Sequence, residues 1–332
     1  MIKKRIVTDL DECRVLWNSL GPVRHVSDLW EFRLCFHRCF QNQPFFLVLE
    51  DNRGLLGMLP LCRLAKEDTF VFFPGETWQG RTWIERTPIY CREQEVLPEL
   101  LSACPPRTYL RYIEADETDP PPALEIDEIG YLLHPLELQF DIQGYYERFN
   151  RKKFKAIKKE IASILSAECS WHVNRLTDYD VMVRMNRGRF EDESYFHDTR
   201  FTEGFRDVVL WLQDRGWLRM VSLEIGGETA AVDLGAVYGN SYVVFLGGTH
   251  PDFPGVAKAI NIHHIESAFE QGFSRVDFLC GDFYWKKLWH LDPQPLYKFI
   301  SPCLKSELQP KEGLRENMDL LVTQTGLSMS AY

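Results

Sequence analysis

The sequence lacks several features that would narrow its function at once. It has no apolar run of about 18 residues and no visible secretory leader, so neither a membrane-spanning helix nor export is expected. It has no low-complexity tract. Positive charge is in deficit: 38 Lys and Arg against 48 Asp and Glu give a formal net charge of -10. That argues against a general nucleic-acid or anionic-membrane binder, while leaving room for a local basic patch. Cysteine is present but forms no framework. The nine cysteines are odd in number and scattered, so free thiols in a reducing cytoplasm are the expected state and location. Cys35 and Cys39 lie one helical turn apart around His37, yet no second ligand pair accompanies them. They read as buried or inert thiols, and no metal is expected.

What is present suits two domains. A chain of 332 residues is comfortable for two cores. Hydrophobic periodicity and turn residues predict the order β α α β β β α β in the first half and again in the second. The repetition suggests two copies of one α/β unit, covering residues 1–140 and 141–305, with a peripheral tail at 306–332. In the first half Glu95 to Ala103 is a helix candidate. The second half is predicted to open on a long helix from Tyr145 to Leu165. Phe154, Ile157, Ile161 and Ile164 would line one side of it, and Arg148, Arg151, Lys152, Lys155 and Lys159 the other. This basic face in an acidic protein has three readings: a solvated surface, a seat for an anionic acceptor, or a contact for tRNA.

The stretch from Tyr242 to Trp289 organises the chain. A hydrophobic strand is expected to run out at Gly247-Gly248, followed by a Pro/Gly loop, a helix from about Val256, and a second strand from Arg275. Strand, glycine loop and helix start form a natural anion holder, because first-turn N–H groups lack partners and carry partial positive charge. The run PGVAKAINIHHIESAFEQGFSRVDFLCGDFYWKKLW carries a resemblance. Its Pro254, Gly255, Gly272, Asp277, Phe278, Leu279, Gly281, Asp282, Trp285 and Lys286 resemble the closing signature of GNAT-like acyltransferases of the Fem/cellulose-biosynthesis (CelD-like) group. Weaker similarity extends over most of residues 1–300. The resemblance implies an α/β (α+β) fold of two tandem GNAT-like domains, with mixed sheets flanked by helices. The predicted element order agrees.

The candidate site follows. Gly255, Val256 and Ala257 would turn their amides to the pyrophosphate of acetyl-CoA or another acyl-CoA, and Gly255 would let the main chain approach closely. Lys258 would reach a phosphate oxygen, or else lay its stem on apolar surface. The loop departs from the fuller Gln/Arg-x-x-Gly-x-Gly/Ala pattern of common acetyltransferases. In the first half the matching segment, Phe73 to Trp78, carries the acid Glu76 where a phosphate would sit, and no strong helix start follows at once.

GNAT chemistry implies attack of an amine on a thioester, which needs a base, an oxyanion stabiliser and an acid for the thiolate. Asp233 interrupts the apolar strand AAVDLGAV, so its carboxylate faces a wet cleft, has a partner, or lies on a solvent face. Glu224 and Asp282 are alternative bases. By resemblance Asp282 and Lys286 belong to the functional motif: Lys286 would stabilise the oxyanion or bind the donor, or pair with Asp282 four residues earlier. Tyr284 is a candidate acid or a core residue. His263 and His264 are adjacent in a helix, so at most one points inward. On the acceptor side the resemblance points to Phe190, Ser194 and Phe196, and His250 lies in the loop.

The expected activity is transfer of an acetyl or other acyl group from coenzyme A to an amine, or a hydroxyl, of a sugar, peptide or cell-envelope precursor. The alternatives are an aminoacyl-tRNA-dependent Fem-type peptidyl transferase and a non-catalytic binding protein that keeps the fold.

Overall fold

The computed structural model describes residues 2–19, 23–87, 89–115 and 120–308. The tail expected at 306–332 lies outside them, apart from the end of a last helix. The acidic Pro-rich segment at 116–122 lies mostly outside them too. The chain divides into two compact units. One holds the residues up to Ile129 and again from Pro295; the other is Gly130–Gln294.

The first unit contains β1 (Lys3–Val7), α1 (Leu10–Asn18), α2 (Trp30–Phe40), β2 (Gln43–Asp51), β3 (Gly54–Leu64), β4 (Thr69–Phe72), the short strands β5 (Thr77–Trp78), β6 (Arg81–Thr82) and β7 (Tyr90–Cys91), α3 (Leu97–Ser102) and β8 (Tyr109–Ile113). Strands β1 to β4 form an antiparallel sheet in sequence order. Asp9 caps α1 by accepting from Glu12 N–H, and Asp51 turns the β2–β3 hairpin by accepting from Arg53 N–H at 2.8 Å. Trp17, Trp30, Phe46 and Phe73 pack together in one apolar cluster of this unit. β4 and the residue that leads into β8 share one isolated parallel bridge, Phe70 with Thr108.

A strand not foreseen from the sequence, β9 (Glu125–Leu133), carries the chain across the unit boundary. The second unit continues with α4 (Ile142–Glu147), α5 (Arg151–Ile164), β10 (Cys169–Val173), α6 (Asp178–Phe190), α7 (Thr199–Asp214), β11 (Leu218–Ile225), β12 (Glu228–Tyr238), β13 (Ser241–Thr249), α8 (Val256–Glu270), β14 (Arg275–Cys280) and α9 (Tyr284–Leu288). The chain returns to the first unit along β15 (Asp292–Ile300), which pairs with β8, and ends on α10 (Pro302–Leu308). The order β α α β β β α β thus recurs, within mixed sheets flanked by helices.

The expected long helix at 145–165 is two helices. Asn150 accepts from the N–H groups of both Lys152 and Lys153, which starts α5 afresh. Phe149 is buried beside Phe154 and Trp289. In α5 Phe154, Ile157 and Ile161 are buried and Ile164 is half-buried; Arg151, Lys152, Lys155 and Lys159 are exposed, as is Arg148, which falls at the end of α4 instead. The helix expected at Glu95–Ala103 starts as a 3-10 turn, Gln94–Val96, and its α-helical part is α3, Leu97–Ser102.

Successive strand residues face opposite sides. Asp233, paired with Gly247, meets His264 of α8, whereas the neighbouring Gly248 abuts α6. Helices α6 and α8 therefore cover opposite faces of the β11–β12–β13 sheet.

Candidate active site

β13 and β14 are parallel neighbours, so their C-terminal ends lie at one edge. They pair only at Ser241–Val243 with Arg275–Asp277. β9 pairs with the other edge of β14, from Val276 and Asp277 on to Cys280, so past Asp277 β14 keeps β9 and loses β13, while β13 keeps its ladder to β12 as far as Thr249. The expected strand end at Gly247-Gly248 is thus overrun by one residue. Two parallel strands that part company leave backbone groups facing a cleft, which suits an extended ligand with amides of its own.

α8 starts beside that cleft. Its N-cap, Gly255, has φ 83° and no side-chain capping bond. That left-handed backbone favours glycine, and a Cβ there would lie 2.8 Å from Glu160 Oε1. Val256 N–H donates to Phe253 O and Lys258 N–H to Gly255 O, so the predicted anion cradle spends two donors on its own turn. Ala257 N–H has no backbone acceptor among the described residues. Lys258 Nζ lies 2.6 Å and 2.7 Å from the two carboxylate oxygens of Glu160 on α5. Both side chains are partly exposed, at 35% and 44%. Such a pair is weak and can open, which frees a cation at a helix N-terminus. The segment therefore fits a phosphate-bearing acyl donor once Glu160 swings into solvent.

Behind α8 lies a polar chain. His264 Nε2 bonds Asp233 Oδ2 at 2.9 Å, and the Tyr242 hydroxyl bonds His264 Nδ1 at 2.9 Å. All three residues are almost fully buried. Of the three readings for Asp233, the structure shows a carboxylate with a partner, inside the core. Of the two adjacent histidines, His264 is the inward one. His263 stacks on Trp171 with ring centroids 4.1 Å apart, and burial pushes its imidazole down to about 4. The chain Asp233–His264–Tyr242 ties α8 to β12 and β13, and so holds the start of α8 in register with the cleft.

The motif after β14 mostly builds backbone. Asp277 Oδ1 accepts from Leu279 N–H, and Leu279 and Gly281 both have positive φ. Lys286 is 1% exposed and donates to Leu279 O at 3.0 Å and Cys280 O at 2.5 Å. The pairing considered between Lys286 and Asp282 is not what the structure holds. Lys287 bonds Asp282 at 2.9 Å instead, because α9 turns Lys286 inward under Tyr131, Phe283 and Trp285. Asp282 is exposed and also accepts from the Tyr131 hydroxyl of β9. The Lys287 ammonium, then the Tyr131 hydroxyl, hold its carboxyl below the usual range. Burial, then Asp282, push the Tyr131 phenol up, so it keeps its proton. Tyr284 is 79% exposed and closes no core.

On the acceptor side, Ser194 and Phe196 are buried and Phe190 is half-buried. Ser194 Oγ donates to Asn186 Oδ1 at 2.8 Å, and Asn186 Nδ2 donates to Gly247 O at 2.9 Å. The Ser194 segment is thereby fastened to β13 just past the point where β14 leaves it. A Cβ on Gly248 would come within 2.7 Å of Met185 Cβ and 2.9 Å of Met182 O, so glycine permits this close approach of α6. His250 sits in the loop, 3.3 Å from Glu228. Glu224 is held by Arg175 at 3.0 Å, within a network that includes Asp178. Sequence reasoning missed Tyr131, which belongs to no motif and is brought in by β9; Asn186, eight residues before Ser194, was not singled out because its partner Gly247 lies far along the chain.

All nine cysteines are free, and no cluster of metal-ligating side chains occurs among the described residues. No described helix is long and apolar enough to cross a membrane.

Comparison with known proteins bears on this geometry. Residues 151–287 match the family model described as "Acetyltransferase (GNAT) domain". No curated protein matches the chain. Among solved structures, FemX is similar at 9% identity and a TM-score of 0.57, over 90% of this chain and 97% of that one. L-PGS from Bacillus licheniformis is similar at 13% identity and a TM-score of 0.54, over 96% and 95%. A conserved protein of unknown function from Bacteroides thetaiotaomicron VPI-5482 gives 12% identity and a TM-score of 0.50, over 90% and 98%. At such identities these structures share the fold: a GNAT-type mixed α/β architecture.

Proposed function

We propose that this protein is an acyltransferase that takes an acetyl or other acyl group from coenzyme A and passes it to an amine, or a hydroxyl, of a sugar, peptide or cell-envelope precursor. The observation that carries the reading is the parting of β13 from β14 beside the start of α8, within the segment that matches the GNAT acetyltransferase domain. The Ala257 amide and the Lys258 ammonium hold the donor's phosphates, and Gly255 keeps the approach open. The donor supplies the thioester. Transfer forms the bond to the acceptor, breaks the C–S bond, and moves the acceptor's proton to the departing thiol.

Asp282 and Tyr131 stand at the C-terminal end of β14, at the edge where ligands gather when parallel strands run side by side. Asp282, held ionised, orients the acceptor amine and takes its proton as the bond to the acyl carbon forms. The Tyr131 hydroxyl gives its proton to the departing thiolate and regains one from Asp282, to which it is hydrogen-bonded. Asp233 and Lys286 act through the backbone they hold, as positioning residues. Tyr284, exposed beside Asp282, is an acceptor contact. Phe190 and His250 line the acceptor approach, with Ser194 and Phe196 beneath it. The base thus passes from the buried Asp233 to its alternative Asp282, and the acid from Tyr284 to Tyr131.

The first test is calorimetric titration with acetyl-CoA and with desulfo-CoA. Saturable binding that weakens about tenfold in Lys258→Ala supports the reading. No heat and no rise in thermal midpoint at high ligand sinks it. A Tyr131→Phe enzyme that still binds acetyl-CoA but turns over more slowly supports the assigned proton donor.

A second reading, an aminoacyl-tRNA-dependent transferase, is favoured by the exposed basic face of α5, where Arg151, Lys152, Lys153, Lys155 and Lys159 face solvent next to Glu160 and Lys258. Copurifying tRNA, with salt-sensitive binding lost when those lysines become glutamines, separates it from the first.

A further inference from the structure

The first unit has a pocket of its own. It is lined by Val71 and Phe72 of β4, Tyr109 and Arg111 of β8, and Arg33 and Glu76, and it is partly open to solvent. It lies beside the single parallel bridge of Phe70 with Thr108, past which β4 and β8 form no ladder.

Its charges are arranged for an absent partner. Arg33 of α2 is 1% exposed. Its Nε donates to Ser27 O at 2.6 Å and its Nη1 to Phe73 O at 3.1 Å, while Nη2 has no hydrogen-bond partner. Glu76 is 2% exposed and accepts from the Thr82 hydroxyl and the Ile84 N–H, both through Oε1. No cation lies within ion-pairing distance of Glu76, and no carboxylate within that distance of Arg33, among the described residues. Burying a charge without an ion-pair partner costs several kcal/mol. Arg33 and Glu76 attract each other across the cavity, and Asp28 adds to this at Arg33, but burial outweighs that attraction, pushing the Arg33 guanidinium down and the Glu76 carboxyl up, and the two do not touch. Arg111 adds no free charge, because Asp127 holds its guanidinium at 2.9 Å and Glu128 at 2.7 Å.

A ligand that answers both charges must itself carry both. A plain anion would satisfy Arg33 and be repelled by Glu76, and a plain amine the reverse. We propose that this pocket binds a small zwitterion of the α-amino-acid kind, its carboxylate on Arg33 and its ammonium on Glu76. Apolar contact with Val71 and Phe72 limits the side chain to a short one. The site is separate from the acyl-donor segment and does not depend on it.

The test is calorimetric titration of the full chain with glycine, L-alanine and L-serine, with acetate and methylammonium as half-ligands. At least one amino acid is expected to bind saturably, with each half-ligand about tenfold weaker or worse. Arg33→Lys and Glu76→Gln are each expected to weaken amino-acid binding by about tenfold or more, while Lys258→Ala leaves it unchanged. Glu76→Gln keeps an acceptor oxygen for Thr82 and Ile84, so it decides alone where Arg33→Lys fails to fold. Absence of saturable binding by all three amino acids, equal binding by acetate, or undiminished binding in Glu76→Gln overturns the proposal.

Discussion

Both units place a parallel strand pair at the same point of the same element order, and they furnish it differently. In the second unit β13 leads through Gly255 into α8, so the parting strands open beside a helix start with a lysine in its first turn. In the first unit β4 leads through Gly75 to a buried Glu76 and the β5–β6 hairpin, so the matching gap holds an acid and no helix start. The strand gap is a property of the fold, whereas the ligand proposed for each gap is argued from the few residues that follow the central strand. A helix start selects a multiply charged anion. A buried guanidinium and a buried carboxyl selected together point to a ligand with both signs of charge.

Several substitutions break or sharpen that contrast. The largest effect is expected from His264→Leu, which strands the Asp233 carboxylate in the core and should cost about 3–5 kcal/mol in urea unfolding. A loss below about 1 kcal/mol would mean that apolar packing alone seats α8. Lys286→Met should cost about 2 kcal/mol, since it leaves Leu279 O and Cys280 O without their donor, and it should lower kcat of any acyl transfer by displacing Asp282. Gly255→Val forces a side chain into φ 83° against Glu160, and about 1–2 kcal/mol of stability together with most acetyl-CoA affinity should go.

A pH effect comes next. Burial lowers His263 to about 4 from an ordinary value near 6.5. The unfolded chain therefore binds this proton first, and stability is lost as pH falls from about 6.5 toward 4. Thermal unfolding across that window should show His263→Phe losing less than the wild type, by about 1–2 kcal/mol at the acid end. Smallest is Glu160→Gln, which removes a rival anion from the start of α8. Acetyl-CoA affinity should rise by about two- to fivefold, read by calorimetry. A fall instead would assign Glu160 to the ligand.

The local sequence determined most of the elements. Alternating and helical periodicity placed the meander β11–β12–β13, and the repeated order followed from it. Gly255 was legible because a close backbone approach demands glycine, whereas the Asp277–Lys286 signature was read by resemblance, and the positive φ of Leu279 and Gly281 emerged only in the structure. The division of α4 from α5 was missed: Tyr145, Phe149 and Phe154 keep an apolar stripe going through the break, and only the Asn150 cap betrays it. β9 was missed because its first half is charged and exposed, and its apolar half pairs with β14, far along the chain.

Side-chain direction was decided by the tertiary structure. Asp233 read equally as base, core residue or surface residue until α8 brought His264 to 2.9 Å. Lys286 and Lys287 are neighbours of one kind, and one turn of α9 sends the first into the core and the second to Asp282. Glu76 and Arg33 stand 43 positions apart and line one pocket only because α2 and the segment after β4 converge. Periodicity and backbone strain are local and can be read along a chain. The partner of a charge is chosen by packing, which brings together residues that the sequence keeps apart.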